Sequence, residues 1–179
     1  MSNLYVGSDT TLRLNGLVNQ SGTSDVYVTN ATVTATLYEY TRMRHPSRAA
    51  AVTLSAGTKT GIPCEAHGFT SGQYVLIHGT VNYDGEYALD STTTADQLVI
   101  VASYVAETFT GKETIQRAVP SARALALTYI GSSNGNYKGT VPDTIDLIHN
   151  EQYHLVISVS DGTSTMVDRQ LVRAQYHGE

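Results

Sequence analysis

The chain has 179 residues, 41% hydrophobic and 15% charged, and its length is compatible with one domain or two small ones. This composition is typical of an ordered protein and excludes a largely disordered chain. The net charge of -5 argues against a nucleic-acid backbone as the main partner, because neutralising phosphates requires an excess of Lys and Arg.

Alternating apolar and polar residues predict two strands in the first part of the chain, at 10–18 and 32–40. In the second of these, Val33, Ala35 and Leu37 share one face. The turn-forming residues between the two strands leave room for a short strand at 26–28.

The alternation breaks at 42–52, which marks a boundary. Positive charge is concentrated there, at Arg42, Arg44, His45 and Arg48 beside Pro46. The pattern favours a solvated connector leading into a second unit. The alternative is a docking site for an acidic partner surface.

From about 51 to 116, short apolar segments alternate with turns that carry Gly, Asn, Asp or Ser. Strands of this length at such regular spacing predict a small, closed or nearly closed barrel. A barrel limits exposed strand edges, which would help so short a unit to be stable.

The outer pattern resumes at 122–129, a predicted strand whose apolar face carries Leu125 and Leu127, and continues at 137–142. The segment 143–151 is predicted to be a loop or a single helical turn. The strongest predicted strand, 153–159, is followed by a hairpin with Asp161 and Gly162 at its tip, and then by the last strand.

Two sequence segments carry a first resemblance, NATVTATLYE and the Tyr-strand-Asp-Gly hairpin at the end of the chain. Together with the remaining outer strands they resemble an immunoglobulin-like domain found in structural proteins of tailed bacteriophages. Tyr153, which opens its strand after a short apolar stretch, is similar to the tyrosine corner of such sandwiches, where the phenol bonds to upstream backbone.

A second resemblance lies inside the inserted unit and concerns a module of phage tail and fibre proteins. The positions that carry it are His67, Gly68, Phe69, Gly72, Gly79, Thr80, Asn82, Tyr83, Asp84, Gly85 and Tyr87. Proteins with this module are sometimes likened to the first catalytic cysteine half-domain of ubiquitin-activating enzymes. The chain lacks the adenylate-binding glycine loop of those enzymes, so their chemistry is not carried over.

These patterns predict an all-β chain in which an immunoglobulin-like β-sandwich is interrupted by a small SH3-like β-barrel. The sandwich is expected to comprise 1–46 and 120–179, and the barrel 47–119.

Each candidate reactive group has a structural interpretation. His67 and His78 lack a third metal ligand at useful spacing, and His67 is expected to cap a turn. Asp84 and Glu86 flank Gly85, where Asn82 and Asp84 are expected to satisfy backbone groups and Gly85 to be left-handed. The lone Cys64 is expected to be a small buried residue.

No catalytic, cofactor-binding or metal-binding residue is therefore predicted, and no cofactor. The abundance of tyrosine is compatible equally with interface chemistry and with the preference of strands for aromatic residues. The N-terminal segment lacks the features of a secretory signal, and no segment approaches the roughly 18 apolar residues of a membrane span.

The resemblances imply a non-enzymatic structural protein of a tailed-phage virion, assembled in the host bacterial cytoplasm. The neck, or head-to-tail connection, is the first expected location. Expected partners are further copies of the chain and other virion proteins, namely portal or adaptor, capsid or tail proteins. Two alternatives remain, a capsid decoration or tail-fibre adhesin that binds host glycans, and a hydrolase.

Overall fold

The structure is a computed structural model that describes residues 2–21, 24–162 and 165–176. These residues form fifteen β-strands and one 3₁₀ turn, so the all-β prediction is confirmed. No helix among them is long and apolar enough to cross a membrane. The strands are β1 Ser2–Tyr5, β2 Thr10–Leu14, β3 Val18–Ser21, β4 Ser24–Tyr27, β5 Thr32–Glu39, β6 Val52–Leu54, β7 Lys59–Pro63, β8 Tyr74–His78, β9 Gly85–Ala88, β10 Gln97–Ile100, β11 Thr114–Arg117, β12 Leu125–Tyr129, β13 Tyr137–Val141, β14 Gln152–Ser160 and β15 Thr165–Gln175, with the 3₁₀ turn at Ser55–Gly57.

Contacts divide the chain into two compact units. The first consists of 1–37 and 119–179, and the second, 38–118, interrupts it. Residues 38–46 belong with the second unit because Tyr38 donates a hydrogen bond to the Glu86 carboxylate and Arg44 forms a bridge with Ile115.

The first unit contains a seven-stranded sheet in the order β1-β15-β14-β5-β12-β13-β2. The backbone N–H of Tyr5 donates to the Thr10 hydroxyl at 2.8 Å, which links the two end strands. The sheet is therefore nearly closed. β12 joins its halves, since its first part pairs with β5 and its last two residues pair with β13. β3 and β4 form a separate two-stranded antiparallel sheet.

The core of the first unit lies inside this curled sheet. Alternate residues of the two longest paired strands point into it, because successive side chains of a strand face opposite sides. The predicted apolar face of β5 is also in the core. The residues concerned are Val33, Ala35, Leu37, Leu155, Ile157, Val159, Val172 and Ala174.

Tyr153 bonds to upstream backbone, as predicted from the sequence. Its buried phenol oxygen accepts a hydrogen bond from the backbone N–H of Ile148 at 2.9 Å. The segment 143–151 contains turns and no helix, and it buries Ile145 and Leu147 in the core. At the β14–β15 hairpin, Gly162 has the positive φ predicted for the tip, at 92°.

Two predicted strands are shorter than expected. The strand predicted at 122–129 begins only at Leu125, because Ser121 and Ala124 have positive φ values of 62° and 51°. Ala122 is fully buried, although the alternation placed it opposite the leucine face. The strand predicted at 10–18 ends at Leu14, just before Gly16 turns the chain at a φ of 67°.

The second unit consists of two three-stranded antiparallel sheets, in the orders β10-β7-β6 and β11-β8-β9. A bridge between Leu89 and Ile100 connects them. Both sheets contribute to a single core, in which alternate residues of β7, β8 and β10 meet three aromatic residues. The core comprises Ala51, Ile62, Cys64, Phe69, Val75, Ile77, Tyr83, Leu89, Leu98, Ile100, Phe109 and Ile115.

Candidate functional site

The segment 80–85, called the NYDG loop below, lies between β8 and β9, includes the first residue of β9, and contains the predicted carboxylate Asp84. One oxygen of Asp84 accepts hydrogen bonds from the backbone N–H and the hydroxyl of Thr80, at 2.7 and 2.8 Å. The other oxygen is 3.0 Å from Nδ1 of His78. The carboxylate thus closes the loop on itself, as the turn interpretation of Asp84 predicted.

These hydrogen bonds determine the protonation of Asp84. Partial burial alone would raise its pKa, but donors from Thr80, the Gly79 backbone and His78 together hold the pKa below the ordinary value of 3.8. A general acid needs a raised pKa so that it still carries a proton near neutral pH. Asp84 is instead an ionised hydrogen-bond acceptor near neutral pH.

The linkage between ionisation and folding gives a pH prediction. Because the folded pKa of Asp84 is lowered, its contribution to stability is present above pH 3.8 and is lost as the pH falls through the folded value. We expect Asp84→Asn to flatten the acid side of the stability–pH curve. Denaturant unfolding between about pH 2 and pH 5 measures this. Asp146→Asn, at an exposed carboxylate, is the control, and equal acid slopes for the two variants would contradict the assignment.

Glu86, the second predicted carboxylate, is engaged separately and accepts a hydrogen bond from the hydroxyl of Tyr38. The two carboxylates therefore serve different structural contacts. Gly85 between them has a φ of 148°, which is positive but more extended than the left-handed conformation predicted for it.

Two residues that the sequence did not single out for this role anchor the NYDG loop from outside. The carboxylate of Glu107 accepts the backbone N–H groups of Val81 and Asn82, at 2.7 and 2.9 Å. The hydroxyl of Tyr83 donates to the carbonyl of Val105 at 2.5 Å and accepts its N–H at 2.7 Å. The loop is therefore held at both its backbone and its buried aromatic side chain.

The anchored loop displays apolar side chains to solvent. Val81, at the tip of the loop, is 87% exposed. Val105, whose backbone is hydrogen-bonded to the Tyr83 hydroxyl, is 46% exposed. An apolar side chain on a preorganised loop loses little conformational freedom on binding. This arrangement is suited to contact with another macromolecule.

The two histidines do not act together. His67 is 1% exposed; its Nδ1 accepts the N–H of Phe69 at 2.9 Å, and Nε2 donates to the Thr94 carbonyl at 2.7 Å. The turn-capping prediction for His67 is confirmed. His78 is exposed and lies against Asp84. Within the described part of the chain, no group of three or more His, Cys, Asp or Glu side chains could hold a metal ion.

The basic segment differs from the solvated connector predicted for it. Arg44 donates from Nε to the His67 carbonyl at 3.2 Å, and Nδ1 of His45 donates to the Glu113 carbonyl at 2.7 Å. Pro46 is buried. The segment is part of the folded unit because its backbone and side chains find partners that are distant in sequence.

Arg42, His45 and Arg48 nevertheless remain exposed, as does Lys112, which follows Gly111 in the chain. Arg48 lies against Gly111, where an added Cβ would be 3.2 Å from its Cγ. The alternative interpretation, a docking site for an acidic partner, is therefore compatible with the positions of these cations.

Two further polar groups are buried. Glu113 accepts the backbone N–H groups of Thr110 and Lys112 and the Thr110 hydroxyl. Burial opposes its ionisation, but these hydrogen bonds outweigh it and keep its pKa below the ordinary value.

Cys64 is 1% exposed, and burial raises the pKa of its thiol to about 11, against a smaller lowering by Arg44. Its predicted role as a small buried residue is confirmed.

Comparison of the chain with protein-family models, with curated proteins and with solved structures found no match in any of the three.

Proposed function

We propose that this chain is a non-enzymatic structural component of a tailed-phage virion that assembles in several copies through its surfaces. The observation that carries the proposal is that one compact β unit, 38–118, interrupts the sequence of another. Both units depend on strand pairing and buried apolar cores, which are the features expected of a building block.

We propose further that the first unit is an immunoglobulin-like sandwich. In that fold strands B and E are neighbours, as are C and F, and F and G. Here β2 and β13 are paired as B and E are, β5 and β14 as C and F are, and β14 and β15 as F and G are. β12 lies beside β13, in the position of strand D. The hydrogen bond from the Ile148 N–H to Tyr153 at the start of β14 supports the same assignment.

The second unit is proposed to be a small SH3-like barrel. Its two three-stranded sheets enclose one core, and the bridge between Leu89 and Ile100 links them. A small barrel can present loops from a rigid frame, as the NYDG loop is presented by Glu107 and Tyr83.

The chemistry of the carboxylates supports a structural role. Asp84 and Glu113 are acceptors with lowered pKa values, and Glu86 receives the Tyr38 hydroxyl. Hydrolytic catalysis by a carboxylate pair would require one acid that stays protonated and a cleft for the substrate. In the described residues these three groups instead stabilise turns and strand contacts.

The neck remains the first proposed location, with portal or adaptor, capsid or tail proteins as the neighbours. The experiment is mass spectrometry and labelling of purified particles produced from the genome that encodes the chain. We expect a fixed number of copies per particle at the head-to-tail junction. Labelling spread over the shell, or glycan binding at a distal tip, would favour the decoration or adhesin alternative. A soluble monomer absent from particles would contradict the proposal.

A further inference from the structure

β15 has a free edge over its first part. It pairs with β14 through nine residue pairs from Thr165 to Arg173, whereas β1 pairs with it only from Val172 onward. Among the described strands, the segment 165–171 therefore has a neighbour on one side only. We call this segment the open edge.

The register shows which backbone groups point out of the open edge. The N–H and C=O of Ala174 bond to Glu151 and Asn150 on the β14 side, whereas the carbonyl of Gln175 accepts the N–H of Val6 on the β1 side. Because successive residues alternate, the odd-numbered residues direct their N–H and C=O away from β14. Val167 and Arg169 are the central two.

The open edge lacks most features that prevent strand addition. It contains no proline, lysine or bulge, and Met166 and Val167 are 48% and 54% exposed. Its charged residues are Asp168 and Arg169. Such an edge is a template for another strand.

We propose that the open edge binds the open edge of a second copy of this chain, antiparallel, with Val167 opposite its own counterpart. A two-fold axis always places one residue of the strand opposite itself. Centring the pair on Asp168 or Arg169 would oppose like charges, which is destabilising. Centring it on Val167 opposes two exposed apolar side chains and places Arg169 opposite Thr165 of the second copy. Centring it on Met166 would also oppose apolar side chains, but it would pair only residues 165–167 of the described edge instead of 165–169.

This interface joins two curled sheets through backbone hydrogen bonds and is isologous, the commonest symmetry of dimers. A single pair of short strands buries less surface than a standard interface of about 1,600 Å², so the dimer is expected to be weak and concentration-dependent. The interface is a property of the chain in solution, and it goes beyond the virion role proposed above. A chain that does not dimerise would therefore not contradict the virion role, and a chain absent from particles would not contradict the dimer.

Disulfide trapping in the full chain tests both the interface and its register. Residues directly opposite in a hydrogen-bonded antiparallel pair have Cα atoms about 5.5 Å apart, within the range of about 4.4–6.8 Å that a disulfide spans. Val167→Cys should therefore form a covalent dimer under mild oxidation. Arg169→Cys is the matched control on the same face, because its own counterpart would lie about 13 Å away along the strand. Cys64, at 1% exposure, does not interfere.

We expect Val167→Cys to cross-link at least about tenfold faster than Arg169→Cys. In sedimentation, Val167→Lys should weaken self-association at least about tenfold, whereas Val101→Lys, at a valine that is 66% exposed on the other unit, should not. Circular dichroism checks that each variant is folded. Equal cross-linking of the two cysteine variants, faster cross-linking of Arg169→Cys, or a wild-type chain that is monomeric at all concentrations would overturn the proposal.

Discussion

Replacement of Tyr83 by alanine is expected to destabilise the second unit by about 3–5 kcal/mol, the cost typical of removing a large buried aromatic side chain. Tyr83 is 1% exposed and its ring lies 6.4 Å from that of Phe109. Its hydroxyl also bonds to both backbone groups of Val105. The substitution would leave a cavity in the core and release the NYDG loop. Chemical unfolding monitored by circular dichroism measures the loss.

Tyr83→Phe separates the two contributions. It keeps the ring but leaves the N–H and C=O of Val105 without the hydroxyl, which should cost about 1–3 kcal/mol. Val81→Ala, in the same loop at 87% exposure, should change stability by less than about 0.5 kcal/mol. A Tyr83→Ala variant no less stable than the Val81→Ala control would show that the loop is not anchored through this side chain.

Gly135→Ala is expected to destabilise the first unit by about 2–4 kcal/mol, because strain and overpacking add at this position. Gly135 has a φ of 76°, and an added Cβ would lie 2.4 Å from the backbone oxygen of Leu17. That oxygen also accepts the N–H of Val28, while the carbonyl of Gly135 accepts the N–H of Leu17. The neighbouring backbone therefore cannot shift without breaking hydrogen bonds.

Two other glycines provide matched controls for this substitution. Gly16 has a similar φ of 67° and no neighbouring atom within 4 Å of an added Cβ, so Gly16→Ala should show the strain alone, about 1–2 kcal/mol. Gly131 has neither a positive φ nor a close neighbour, and Gly131→Ala should be nearly neutral. Equal losses at Gly135 and Gly16 would show that the close approach to Leu17 has no energetic consequence.

The local features of the fold could be predicted because they depend on residues close in sequence. The apolar face of β5 follows from period-two alternation, and the positive φ at Gly162 follows from the turn chemistry of Asp-Gly. His67 caps a turn through a contact with Phe69, two residues away. The hydrogen bond at Tyr153 also spans only five residues.

The strand predicted at 122–129 shows where alternation is insufficient. Ala122 and Ala124 fit the pattern of a strand, but alanine has little preference for one side of a sheet. The N–H of Ala122 instead bonds to Val119 in a turn, and its side chain enters the core. Burial in the tertiary structure therefore overrode the local pattern.

The sequence by itself determined that the chain is all-β, that turn residues surround Asp84, and that Cys64 is buried, because composition, alternation and turn chemistry act over short distances. Only the tertiary structure decided which distant groups meet. Glu107 reaches the NYDG loop across more than twenty residues, Arg44 reaches His67, and β1 covers only the end of β15. No local pattern encodes such pairings, since they depend on the register of strands that are far apart in the chain.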